Sequence, residues 1–134
     1  MEETVKLSAG IRILKRGGRE YPERLKEIQG APAELYVLGR MPEEDRPAVA
    51  IIGARDCSEY GRYVASGLGA ALARCGIQVI SGMARGIDGI GQEAALDAGG
   101  SSFAVLGSGV DVCYPAGNRR LYEKLKLGGG ILSE

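Results

Sequence analysis

The chain has 134 residues, 45% of them hydrophobic and 25% charged, a balance that suits one globular domain with a real core. Its 17 basic and 17 acidic residues cancel, and they do so in both parts, with nine of each sign in residues 1–47 and eight of each in residues 48–134. Whole-molecule attraction to a polyanion is thereby excluded, so any anion site must be local, and the absence of histidine excludes Ser-His-Asp triads, Cys-His pairs and most zinc sites.

Residues 1–47 read as an N-terminal extension. Their acidic start, "MEETVKLSAG", is neither a secretory signal nor a transit peptide. No stretch of the chain reaches the roughly 18 consecutive apolar residues of a membrane span. A short helix is expected over 22–29, then a Pro-bounded turn, a strand through Leu35–Leu38 and a polar connector, "MPEEDRP". This segment is too small to fold alone, so it is expected to pack on a core or extend the edge of a sheet.

From residue 48 the pattern becomes regular. "AVAIIG" (48–53) is a continuous apolar run of the kind buried on both faces of a parallel sheet. A helix follows over 60–76, with Val64, Leu68, Ala71, Leu72 and Cys75 at inward spacing and Gly76 to end it. "IQVIS" (77–81) is the next strand. A glycine-rich loop then leads into a helix through Ile87, Ile90, Ala94 and Ala98. "SFAVLG" (102–107) is the third strand, 117–130 a helix with Leu121 and Leu125 inward, and "GILSE" a fourth strand. Strand–helix alternation at this spacing predicts an α/β fold: a Rossmann-like, three-layer parallel sheet with helices on both faces, incomplete at the C-terminus. The expected division is an extension (1–47) on a βαβ core (48–134).

Ligands of such sheets bind beyond the carboxyl ends of the strands, where the loops 53–59, 82–88 and 107–117 fall. Residues 81–100 alone hold six glycines around Arg85 and Asp88. A glycine-rich turn entering a helix offers backbone N–H groups to a phosphate, and Arg85 adds a planar fork of donors. The alternative is that the glycines serve tight packing and Arg85 pairs with Asp88. Arg55 follows the first core strand, either as a phosphate ligand or as the ion-pair partner of Asp56 and Glu59, and Ser58 is placed to cap the next helix. Arg119 and Arg120 stand at a helix start, where they oppose the dipole, and Tyr114 before Pro115 could stack on a base. "GIGQEA" (89–94) matches a dinucleotide fingerprint in letters only, since it lies inside a helix. Cys57, Cys75 and Cys113 are too few and too scattered for a disulfide framework, consistent with a reducing cytoplasm.

Taken together, "YPERLKEIQGAPAELYVLG", "VAIIGARDCSEYG", "VISGMARGIDGIGQEAAL", "AVLGSGVDVCYP" with "GNRRLYEKL", and "GILSE" resemble the DNA-processing protein A (Smf) family from about residue 12 to the end. The resemblance implies a Rossmann-like domain that binds single-stranded DNA and helps load the RecA recombinase in natural transformation, without catalysis, cofactor or metal. By motif match it carries over Arg55 first as a phosphate contact, then Ser81, Gly82 and Arg85 as pocket-lining residues; Gly53, Ser58, Gly86, Gly107, Ser108, Gly109, Tyr114, Asn118 and Arg119, from the same loops and the last helix start, complete the expected phosphate-binding set. Two departures stand out: Gln92 replaces the family's usual histidine, and family members continue well past "LSE". The fourth strand is therefore expected to expose a sheet edge through which copies could associate. The competing class is a nucleotide phosphoribohydrolase of the same fold group. Its "PGGxGTxxE" motif is absent here, and Glu93 is the one acidic candidate near the site.

Overall fold

Short apolar runs, spaced by helical segments, place seven strands in one sheet. The computed structural model describes residues 4–6 and 10–134. In chain order the elements are β1 (Val5–Lys6), β2 (Ile11–Lys15), α1 (Glu23–Lys26), β3 (Glu34–Gly39), β4 (Ala48–Ala50), α2 (Glu59–Arg74), β5 (Gln78–Ser81), α3 (Ile87–Asp97), β6 (Ser102–Leu106), a 3-10 turn at Ala116–Asn118, α4 (Arg119–Gly128) and β7 (Gly129–Ser133). The strand order is β1-β2-β3-β7-β6-β5-β4.

β4, β5, β6 and β7 run parallel, in registers such as Val79↔Ser102 and Ala104↔Ile131. Each crossover steps in the same direction, so right-handed connections bring α2, α3 and α4 to one face. There Met83, Ala104, Leu121, Leu125 and Ile131 form one core cluster, and Ile51, Val79 and Ala95 another. Helical cover of the opposite face is the single turn of α1, whose Leu25 packs with Tyr21 and Met41 over Phe103 and Leu132. Both faces carry helix, but very unequally.

The N-terminal segment extends the sheet. β3 pairs antiparallel with β7, for example Val37↔Leu132, and β2 and β1 follow it outward. The sheet is thus mixed rather than wholly parallel. The sequence reading misses β2 because "IRILK" is short and carries two cations. The polar connector is fixed by one buried side chain: Gln78 donates from Nε2 to the carbonyls of Glu43 and Arg46 and accepts from the Glu43 N–H.

Three expectations are corrected. β4 is an edge strand rather than a strand buried on both faces, and Ile52 just beyond it is 75% exposed. The open parallel edge lies there, since β7 sits between β6 and β3. The inward faces of α2 and α3 also differ from the apolar spacing. Ala65 and Gly69 of α2, with Gly89, Gly91, Gln92 and Ala95 of α3, are buried, whereas Val64, Leu68 and Cys75 are exposed. Small residues win because they let the two helices approach closely, which larger residues would prevent. Among the described residues no helix is long and apolar enough to cross a membrane, and no group of side chains is arranged to hold a metal ion.

A Cβ at Gly69 would lie 2.2 Å from the Gly91 carbonyl oxygen, while one at Gly67 meets nothing within 4 Å. Gly69→Ala is therefore expected to lower the free energy of unfolding by about 1–3 kcal/mol in urea titrations. Gly67→Ala, on the open side of the same helix, is expected to raise it by about 0.5–1 kcal/mol.

Candidate phosphate pocket at the strand ends

The loops after β4, β5 and β6 converge at the carboxyl ends of those strands. They enclose a cavity of about 540 Å³ lined by Arg55, Gly82, Ala84, Arg85, Leu106, Gly107, Ser108, Tyr114 and Pro115. Arg55, Gly82, Arg85, Gly107, Ser108 and Tyr114 are among the residues expected from sequence. Ala84 and Leu106 are not, since small and apolar wall residues carry no chemical signature.

Asp88 ties two of these loops together. Its Oδ1 accepts the Gly53 N–H and its Oδ2 the Gly82 N–H, each at 3.2 Å, so one buried carboxylate joins the ends of β4 and β5. Asp88 therefore does not hold Arg85. The guanidinium of Arg85 pairs instead with Asp56 across the two loops, Nη2 to Oδ1 at 3.0 Å. Three amides at the start of α3 are likewise committed: Ile87 N–H donates to the Ala54 carbonyl, Gly89 N–H to that of Ala84 and Ile90 N–H to that of Gly86. Gly86 permits this crossing. Its φ is +86°, and a Cβ would lie 2.3 Å from the Ala54 carbonyl oxygen. Several amides at this helix start, with those of Gly53 and Gly82, are thus held by protein carbonyls and a carboxylate.

A second network sets the loop after β5. Met83 is buried with φ +56°, a conformation rare for non-glycine residues. Its N–H donates to Gln92 Oε1 at 2.8 Å, and its carbonyl accepts from Asn118 Nδ2 at 2.9 Å. Gln92, fully buried, also donates to Ser102 Oγ and the Phe103 carbonyl. The position at which the sequence departs from the family pattern is therefore a hydrogen-bonding hub of the core.

The remaining expected residues lie outside the cavity lining. Ser58 caps α2, accepting from the Gly61 N–H, and Ser81 is buried with its hydroxyl donating to the Ile51 carbonyl. Gly53 packs against Ile87, and Gly109 lies beside Asp111. Arg119 pairs with Glu123 at 3.3 Å and lies over the Tyr122 ring, and Arg120 is 3.9 Å from Glu93. Carboxylates and a ring thus compensate the helix-start arginines. Glu93 is held by Lys124 at 3.0 Å and does not line the cavity. Tyr122 donates its hydroxyl to the Val110 carbonyl at 2.7 Å, which holds the loop after β6 on α4. Burial pushes the Tyr122 phenol above its ordinary pKa, against the opposing charges of Lys126 and Arg119.

Arg55 is different: among the described residues its guanidinium makes no hydrogen bond or ion pair. It stands at the mouth of a cavity whose other cation is Arg85 and whose exposed ring is Tyr114. Fold and pocket define an α/β protein with a cavity lined by two arginines at the carboxyl ends of parallel strands.

More particularly, the chain belongs to the DNA recombination-mediator protein A family, whose model matches residues 12–134. It is 38% identical over 119 residues to Protein Smf of Synechocystis, covering 86% of this chain and 30% of that protein. With the DNA processing protein DprA of Streptococcus pneumoniae it shares 39% over 118 residues, covering 85% of this chain and 40% of the relative. The X-ray structure of the S. pneumoniae protein superposes with a TM-score of 0.82 at 35% identity, over 90% of this chain and 42% of that one. A Helicobacter pylori structure, described as giving insight into a single-stranded DNA binding mode, superposes with a TM-score of 0.81 at 29% identity, over 96% and 57% of the two chains. The chain spans 30–43% of the length of the curated relatives it matches.

Replacing Asp88 with alanine would leave the Gly53 and Gly82 amides without their acceptor. Asp88→Ala is expected to lower unfolding free energy by about 1–3 kcal/mol. Hydrogen exchange at those two amides should accelerate more than at strand-interior positions such as Val79.

Proposed function

We propose that this pocket binds the phosphate backbone of single-stranded DNA, and that the protein serves DNA recombination as a binding rather than a catalytic module. The observation that carries the reading is Arg55, a cation at the pocket mouth with no protein partner among the described residues. Exposed arginine is strongly suited to phosphate oxygens, which accept its forked donors. Tyr114, 66% exposed beside the cavity, supplies a face on which a base can stack. Family membership and the Helicobacter structural neighbour support the same reading. The assignment to a transformation pathway, with delivery of the strand to RecA, rests on the family resemblance alone. Glu93, the acid that the phosphoribohydrolase alternative would use, is tied into ion pairs with Lys124 and Arg120 and does not line the cavity.

The proposal extends to association of two copies. In β4 the even-numbered residues Ala48 and Ala50 point their N–H and C=O groups away from β5, toward a side where the described residues place no strand, beside the exposed Ile52. Two such edges are self-complementary about a two-fold axis. Sedimentation velocity should show concentration-dependent association that Ile52→Lys suppresses.

Fluorescence anisotropy with labelled oligo-dT across a salt series tests the binding reading. Affinity should fall with salt, and Arg55→Ala should weaken binding and flatten the log–log slope by about 0.7, the value for a single phosphate of a single strand. Tyr114→Ala should cost about 1–3 kcal/mol with little change in slope, as removal of one stacking face does. Absence of binding by the unaltered protein at low salt, with its fold intact by circular dichroism, would refute the reading.

A further inference from the structure

One carboxylate beside the pocket, paired with a residue that lines it, works against an anionic ligand. Asp56 immediately follows Arg55, and its carboxylate reaches across to the loop after β5, where it holds Arg85 at 3.0 Å. The two residues lie 29 positions apart in sequence, so the pair exists only because the loops after β4 and β5 converge. Both side chains are open to solvent, 67% for Arg85 and 92% for Asp56. An ion pair so exposed is weak and exchanges readily. Arg55 and Arg85 therefore stand in different states at the same cavity: among the described residues one cation has no partner, and the other is paired with a carboxylate.

We propose that Asp56 is a built-in competitor for the pocket, an internal anion that holds Arg85 until a phosphate displaces it and so sets the affinity and ionic selectivity of the site. This inference rests on the reading of the pocket as a phosphate site. Engagement then has two parts. A phosphate first meets Arg55, which has nothing to give up. Arg85 follows by exchanging the Asp56 carboxylate for phosphate oxygens, and the released carboxylate remains close enough to repel the bound anion. Asp88 cannot take this role, because both of its oxygens are held by the Gly53 and Gly82 amides beneath the pocket. Glu59, the other acid on this side of the pocket, lies in the first turn of α2, and the carboxylate that Arg85 meets is that of Asp56.

The geometry makes an unusual prediction: removing a native ion pair should improve binding. Asp56→Asn is expected to tighten oligo-dT binding by up to about fivefold at low salt, the most that freeing Arg85 from so exposed an ion pair can return. The gain should shrink as salt screens the remaining charges. Asp56→Glu, which keeps the carboxylate, should bind like the unaltered protein. In an Arg85→Ala background the gain from Asp56→Asn should fall to less than half, because Asp56 acts mainly through that arginine. Anisotropy titrations of these variants, with thermal melts to confirm equal folding, measure all of this.

A gain in Asp56→Asn that fades with salt and is reduced in the Arg85→Ala background supports the proposal. If Asp56→Asn binds more weakly, Asp56 preorganises Arg85 rather than competing with the ligand, and the proposal is overturned while the binding reading stands. Unchanged affinity, or a gain that persists in full without Arg85, overturns it as well. If neither the unaltered protein nor Asp56→Asn binds oligo-dT, both the DNA reading and the inference built on it fail.

Discussion

One buried carboxylate organises the functional end of this molecule. Asp88 takes the Gly53 amide on one oxygen and the Gly82 amide on the other, which locks the tips of β4 and β5 to the first turn of α3. Buried backbone donors must find acceptors, and here a side chain supplies both. Because the acceptor is an anion at a helix N-terminus, it also answers the dipole of α3. The Gly53 and Gly82 amides at the strand ends are thereby committed within the protein. The two arginines that line the cavity above them differ in state: Arg55 has no partner among the described residues, and Arg85 pairs with Asp56.

The glycines follow from the same constraint. At Gly86 a positive φ and an approach to the Ala54 and Arg55 carbonyls let one loop cross under the other. Between α2 and α3, Gly69 meets the Gly91 carbonyl so closely that no side chain fits. Close helix contact requires small residues on the facing surfaces, so the larger apolar residues of α2 turn outward. Tyr60, Val64 and Leu68 are then left exposed beside the open edge of β4. Core packing and surface character are thus two consequences of one choice of residue size.

The polar hub at Gln92 shows how strain is contained. A left-handed Met83 is tolerated because its amide and carbonyl are both held, by Gln92 and by Asn118 from the start of α4. Gln92 reaches on to Ser102 and Phe103 in β6, so the loop after β5 is fixed to the centre of the sheet. An amide can serve three such partners at once, since it presents both an acceptor and a pair of donors. The pocket wall inherits that rigidity.

Local signals along the chain settle the alternation of strands and helices, the loops that meet at the strand ends, and the residue types available there. They suffice because apolar period, glycine stops and cap residues act over a few positions. They place Leu121 and Leu125 inward on α4 correctly, since that helix has a single dominant apolar stripe. They do not decide which stripe of α2 faces the core, because that choice depends on Gly91 in another helix. Nor do they make β4 an edge, since strand order is a property of pairing rather than of any one strand. The fate of Arg85 is the clearest case. Asp88, three residues away, is the natural partner by proximity, yet the fold assigns Asp88 to two amides and Asp56 to the arginine. Proximity along the chain proposes partners, but the competition for buried acceptors is settled only when distant loops share the same few ångströms.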